Sequence, residues 1–188
     1  CIMKKIASLI IGSLLLLGSG ACGKSDNKED DSCNGNTRRD VKVLIDDTVS
    51  EIDTIPILTT IDSIGNIEVI EPKKETPRQA IEKKTFTVTG TVDKVKQYRD
   101  GDYHIKLIDE NENYIITEVP NPGCEYAQES AYLSTYITVR DWIESREDEL
   151  EGKTVTITGV AFIDIDHYYK RDQAKNNIEL HPILKISY

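Results

Sequence analysis

Long hydrophobic runs are missing from this 188-residue chain. The apolar run at residues 6–17 is broken by Ala7, Ser8, Gly12 and Ser13. It falls short of the roughly 20 apolar residues that a membrane-spanning helix needs. Also absent are a glycine-rich phosphate loop, a C-x-x-C pair and the G-x-S-x-G elbow. These absences remove the commonest sequence grounds for nucleotide hydrolysis, dithiol exchange and acyl transfer through serine. Positive charge is in deficit, with 23 Lys and Arg against 33 Asp and Glu and a formal net charge of −10. That balance argues against sequence-independent binding of nucleic acid, because a polyanion is repelled on approach. Histidine is scarce, with three in the chain.

What is present begins with an export signal. Met3-Lys4-Lys5 supplies a positive n-region, and residues 6–17 have the length of a signal h-region. Ser19-Gly20-Ala21-Cys22 then places small residues ahead of a cysteine. This resembles the lipobox of bacterial lipoproteins, with Ser19 standing where leucine is usual. The resemblance implies a diacylglyceryl group on Cys22 and cleavage before it. Ordinary signal-peptidase cleavage at the same site is the alternative, and it leaves the same mature N-terminus. The expectation is a signal peptide over residues 1–21, lipidation at Cys22, and export to the periplasmic or cell-surface face of the outer membrane. Several acyl chains would give lasting anchorage. Loss of Lys4 and Lys5 takes the formal charge to −12.

Residues 22–40 are polar and read as a disordered acidic tether. Residues 41–77 carry many Val, Ile and Leu between acidic residues, Ser and Thr, but hold no single period. They read as an extended arm laid against the domain, with one or two short strands, followed by a hinge over residues 71–77.

Residues 78–188 read as one domain. Phe86, Val88, Gly90 and Val92 alternate with threonines at 85, 87, 89 and 91, a strand pattern. Asp100-Gly101 supplies a hairpin turn. Tyr103, Ile105 and Leu107 mark strand two, and residues 114–119 strand three. Leu133, Tyr136, Ile137, Ile143 and Leu150 recur at helical spacing over residues 130–150, with Arg140 and Glu147 breaking the stripe. Val155, Ile157, Gly159, Ala161 and Ile163 alternate in strand four. Ile178, Leu180, Leu184 and Ile186 share one face of strand five, with Glu179, His181 and Ile183 on the other. Three strands, a helix and two strands is the order of the OB-fold, a five-stranded Greek-key barrel. The predicted class is therefore mainly β, with one helix between strands three and four.

Several motifs are similar to those of an uncharacterised family of small exported bacterial proteins. They are Asp102-Tyr103-His104, residues 118–124 (EVPNPGC), residues 158–164 (TGVAFID) with His167, and residues 177–182 (NIELHP). The resemblance covers residues 78–188 and implies no activity, so function has to be argued from the residues.

Three readings follow. The first is a binding module. Tyr98 and Arg99 in the first hairpin, and Tyr168, Tyr169, Lys170 and Arg171 in the loop between strands four and five, border the face that OB-folds use for ligands. Aromatic and basic side chains together suit a glycan, a peptide or a partner protein. Nucleic acid is disfavoured, since residues 78–188 carry 14 basic and 20 acidic side chains. The second is a metal-dependent hydrolase in which His104, His167 and His181 bind zinc or another divalent transition metal. Glu179 would then act as base or orienting group. Two barrel spacings separate strands two and five, roughly 10 Å, so His104 and His181 would need long reach. The third is a structural envelope component with no small ligand. No cofactor other than such a metal is expected, and enzymatic activity is the less favoured reading. Cys33 and Cys124 are candidates for a disulfide joining tether to barrel, with free or intermolecular thiols as the alternative.

Overall fold

The computed structural model describes Cys33 and residues 37–165 and 175–188. The expected signal segment, Cys22, most of the tether, His167 and the cluster Tyr168, Tyr169, Lys170 and Arg171 lie outside the described residues. Five strands form a closed barrel: β2 (Thr85–Gln97), β3 (Tyr103–Ile108), β4 (Tyr114–Val119), β5 (Thr154–Ile163) and β6 (Ile178–Ser187). Their order around the barrel is β2-β3-β4-β6-β5, and β5 pairs back onto β2. The β4–β6 contact is parallel and the other pairs are antiparallel. This is the OB-fold arrangement that the element order predicts.

The long strand β2 serves two neighbours. Residues 85–91 pair with β5 and residues 91–97 with β3, with a bulge between Val92 and Lys94. A bulge bends the strand and lets one chain cross between neighbours. Inside lie Phe86, Val88 and Val92 with Ile105, Leu107, Ile115, Val119, Ile157 and Leu180. Outside, the threonines form a ladder, with hydroxyl contacts of 2.7 Å for Thr87–Thr158 and 2.9 Å for Thr89–Thr156. Gly159 sits where β5 shifts register against β6. A Cβ there would lie 2.9 Å from both Leu180 Cβ and Pro182 O, so only glycine permits this approach.

Two sequence expectations need correction. In β6, Ile183 is buried in the core while Leu184 faces outward against Leu44, Ile52 and Val160. The register shifts on either side of Gly159 reverse the inside–outside parity between His181 and Leu184, and Ile186 is back in the core as expected. The predicted helix over 130–150 is two helices, α4 (Leu133–Glu144) and α5 (Glu147–Leu150), preceded by the single turn α3 (Glu125–Gln128). The break follows local competition for the carbonyl of Trp142, which accepts from Ser145 Oγ at 3.0 Å and Arg146 Nη1 at 3.1 Å. Tyr136, Val139 and Ile143 form the buried stripe, and Ile137 is exposed. Arg140 is buried because it donates to Gly101 O at 2.8 Å and lies over the Tyr103 ring.

Residues 37–40, expected as part of the tether, are ordered and run into the arm, which is not extended and packs against the barrel. It folds as α1 (Arg39–Lys42), a 3₁₀ turn at Val49–Glu51, the two-residue strand β1 (Ile57–Leu58) parallel to β2, and α2 (Ile61–Gly65). Of the one or two short strands expected in the arm, β1 forms. Ile61 and Ile64 join the barrel core, and Leu44 and Ile52 cover Val160 on the outer wall. Charge does the rest. Arg38 meets the fully buried Glu82 through both guanidinium nitrogens at 2.7 and 2.6 Å and donates to Ile163 O at 2.8 Å. Arg78 meets Asp46 at 2.5 Å and donates to Val41 O at 2.8 Å. The structure also joins Cys33 to Cys124 in a disulfide. No helix of the described residues is long and apolar enough to cross a membrane.

Burial pushes the Asp46 carboxyl up, but hydrogen bonds from Arg78 and Thr48 outweigh it and hold the group below its ordinary value of 3.8. A carboxylate depressed in the folded state adds stability above its unfolded value, and that stability is lost as pH falls through the folded one. Asp46→Asn is therefore expected to lower the unfolding free energy at pH 7 by about 1 kcal/mol after solvent screening. The gap between variant and wild type should close as the pH drops below 3.8. Urea denaturation across that range checks both.

Candidate functional site

Alternation decides what the outer wall presents. Because Tyr103, Ile105 and Leu107 point inward, His104 and Lys106 point outward. By the same rule Ile116 and Glu118 face outward from β4, and Glu179 and His181 from β6. His104 pairs directly with Glu118, and Thr117 pairs with Leu180. Three adjacent strands thus set His104, Glu118 and His181 in one row. His104 Nε2 lies 2.9 Å from Glu118 Oε1, and His181 Nδ1 lies 2.8 Å from Glu118 Oε2. The two histidines are brought to the same carboxylate, one to each oxygen. Asp102, in the turn before β3, approaches His181 Nε2 at 3.8 Å and accepts from the Asn121 amide at 2.9 Å.

The arm roofs half of this row. Arg39 reaches Asp102 at 3.1 Å, and Lys42 Nζ stands 3.7 Å from Glu118 Oε2. The Phe162 ring meets His181 edge-on at 5.9 Å and lies under both Arg38 and Lys42. Asp102, Glu118 and His181 are each at most 1% exposed. Burial favours the neutral form of Glu118, but Lys42, His104 and His181 outweigh it and hold the carboxyl well below its usual range. Burial, Glu118 and Asp164 push the Glu179 carboxyl well above that range against the pull of Lys42. Burial pushes Asp102 up as well, with His181 and Arg39 opposing. Burial alone would lower Lys42, yet Glu118, Glu179, Asp164 and Asp102 hold its ammonium above the ordinary lysine value.

The other half of the wall stays open. A shallow depression is lined by Lys94, Lys96, Tyr98, His104, Lys106 and Ile116. The Tyr98 ring stacks at a tilt on His104 with centroids 3.9 Å apart, and Lys96 lies over Tyr98 at 4.2 Å. Lys106 lies over Tyr114 at 4.9 Å and pairs with Asp93 at 2.8 Å. Lys94 and Lys106 are direct cross-strand partners. Like charges placed so oppose each other and cost stability. A second groove, between α2 and the β3–β4 turn, is lined by threonines with Asp62, Asp109 and Glu110, and has the opposite sign.

Of the residues named from sequence, Tyr98, Arg99, His104, Glu179, His181, Cys33 and Cys124 fall within the described residues, and Glu179 is buried at 2% exposure. Tyr98 and His104 meet, His104 and His181 share Glu118, and Arg99 is exposed at the hairpin tip. Sequence reasoning missed Glu118, Asp102, Lys42 and the three lysines. Lys94 and Lys96, like His104 and Lys106, are two residues apart on strands, so a tally of outward positions finds that group. Glu118 also reads as outward and solvated. Only the arm, contributed from distant sequence, makes it a buried charge.

No protein-family model and no curated protein matches the chain. Among solved structures it is similar to Entamoeba histolytica asparaginyl-tRNA synthetase, at 12% identity and TM-score 0.42 over 72% of this chain and 24% of that one. It is also similar to the S. pombe Stn1-ten1 complex, at 12% identity and TM-score 0.33, covering 55% of this chain and 56% of that one. A third is OBody AM2EP06 bound to hen egg-white lysozyme, at 14% identity and TM-score 0.38, covering 63% and 94%. This chain spans about a quarter of the synthetase's length, and likeness at this level says nothing of activity.

Removing one partner of a buried pair leaves the other charge uncompensated. Lys42→Ala is expected to lower the unfolding free energy by about 3 kcal/mol, whereas Lys153→Ala, at an exposed position, should change it by under about 0.5 kcal/mol. Chemical denaturation of both variants checks this.

Proposed function

We propose that the protein is an exported, lipid-anchored binding module whose open barrel wall holds an acidic glycan. The carrying observation is the Lys94–Lys106 cross-strand pair, with Lys96 beside it, on the wall of a chain that is acidic overall. Asp93 answers Lys106 at 2.8 Å, and an anionic group seated there would answer Lys94 and Lys96. Tyr98, Tyr114 and His104 add flat faces of the kind that stack on sugar rings. β2 is paired with β3, and β3 with β4, across this wall. With no strand edge to extend, a peptide could not be held there by strand addition, so side chains carry the recognition. The overall negative charge favours a ligand with isolated anionic groups over a long polyanion. Met3 to Leu17 and Cys22 support export and anchorage. The hydrolase reading is not favoured, because His104 and His181 both face Glu118 and so do not converge on an open metal position.

The experiment is a titration of the full chain with a uronic-acid oligosaccharide, its neutral counterpart and an acidic peptide of equal charge. The uronate ligand should bind most tightly and weaken as salt rises. Lys96→Ala and Tyr98→Ala should each cost about tenfold in affinity, equivalent to about 1.4 kcal/mol. Equal binding of neutral and acidic sugars, or binding untouched by both variants, overturns the reading.

A further inference from the structure

Beneath α1 the wall holds buried polar atoms that form no hydrogen bond. His181 is fully buried, and neither ring nitrogen forms a hydrogen bond. The same holds for Glu118 Oε2 and Glu179 Oε2. His181 Nδ1 approaches Glu118 Oε2 to 2.8 Å without donating to it. Buried polar groups left unpaired are costly, and each calls for an explanation.

Charge points the same way. Three carboxyl groups of this wall, Asp102, Glu118 and Glu179, act on Lys42. Arg39 lies 3.1 Å from Asp102, and Lys42 lies 3.7 Å from Glu118. A divalent cation seated among the three would add to that compensation.

One atom each from Asp102, Glu118 and His181 lies within 4.8 Å of the others. We propose that these three residues form a buried structural site for a divalent transition-metal ion, with zinc the best match. One imidazole nitrogen and two carboxylate oxygens are donors zinc accepts, at about 2.0–2.2 Å. Donors around one such ion stand roughly 3–3.6 Å apart, so a small contraction closes the set. The neighbours are placed to support it. His104 Nε2 holds Glu118 Oε1 at 2.9 Å and leaves Oε2 turned to His181. The Asn121 amide holds Asp102 Oδ1 at 2.9 Å and leaves Oδ2 turned to His181 and Arg39. Such outer contacts orient ligands and raise affinity. The three donors come from the turn before β3, from β4 and from β6, so an ion would tie these strands beneath the arm. Enclosure under α1 gives a substrate no approach, which makes the site structural; it touches the open wall only through His104.

The test strips the full chain by unfolding it in chelator, refolds it, and titrates it with Zn²⁺ and Co²⁺. The wild type should take up one equivalent with a rise in melting temperature. His181→Ala and Asp102→Asn should each weaken binding at least 100-fold, and His104→Ala about tenfold. Uptake that survives both ligand substitutions overturns the proposal, as does a refolded wild type that takes up no metal and holds protons instead. If the ligand variants do not fold, the Co²⁺-loaded wild type decides. One hyperfine-shifted imidazole ring supports the site, and none overturns it.

Discussion

The structure outside the barrel core depends on one constraint. Carboxylates on the barrel, buried in its wall or at its margin, need counter-charges, and the N-terminal segment provides them. Glu82 and Glu118 are nearly inaccessible to solvent. An isolated ionised carboxylate in such surroundings would be strongly disfavoured. Arg38 meets Glu82, Lys42 faces Glu118 and Arg39 reaches Asp102. Apolar burial contributes as well, with Ile61 and Ile64 in the barrel core and Leu44 and Ile52 on Val160. Pairs of this kind often add less net stability than apolar packing of the same volume. Their value here is positional, because each cation accepts only the seat where its carboxylate waits.

That seating divides the wall into an enclosed and an open half. Over β6 and part of β4 the arm excludes water and encloses His181. Over β2, β3 and the rest of β4 it stops short, and Lys94, Lys96, Lys106 and Tyr98 stay accessible around a shallow depression. His104 stands on the border. One nitrogen faces the buried Glu118 while the ring stacks on Tyr98 in the open half. An anion bound on the open side and a change in the enclosed carboxylates would therefore be felt through the same imidazole.

The barrel was legible in the sequence because its signals are local. Alternation in β2, β3 and β5 marked the inward residues, Gly101 marked a turn, and the position of the helix among the strands indicated the topology. Two local irregularities carry no such signal. The register change near Gly159 inverted Ile183 and Leu184, and the competition for the Trp142 carbonyl cut one helix into two. The arm was read as extended because its order is not local. Arg38 bonds to Glu82, 44 residues on, and to Ile163, 125 residues on. No periodicity records such pairs. The row of His104, Glu118 and His181 was half visible. The two histidines stood out, but the acid between them looked like an ordinary outward residue.

The most direct test is native-state amide hydrogen exchange on the full chain. The amides of Lys42, Val43 and Ile45 donate to Arg38 O, Arg39 O and Asp40 O within the arm. A single unsupported turn of helix exchanges rapidly, because local opening costs little. If buried charge seats the arm as part of the domain, these amides will be protected and will open together with β6. Exchange of residues 42–45 several orders of magnitude faster than β6 would contradict the account. It would mean that the arm leaves its seat freely and that the wall over Glu118 and His181 is open to solvent.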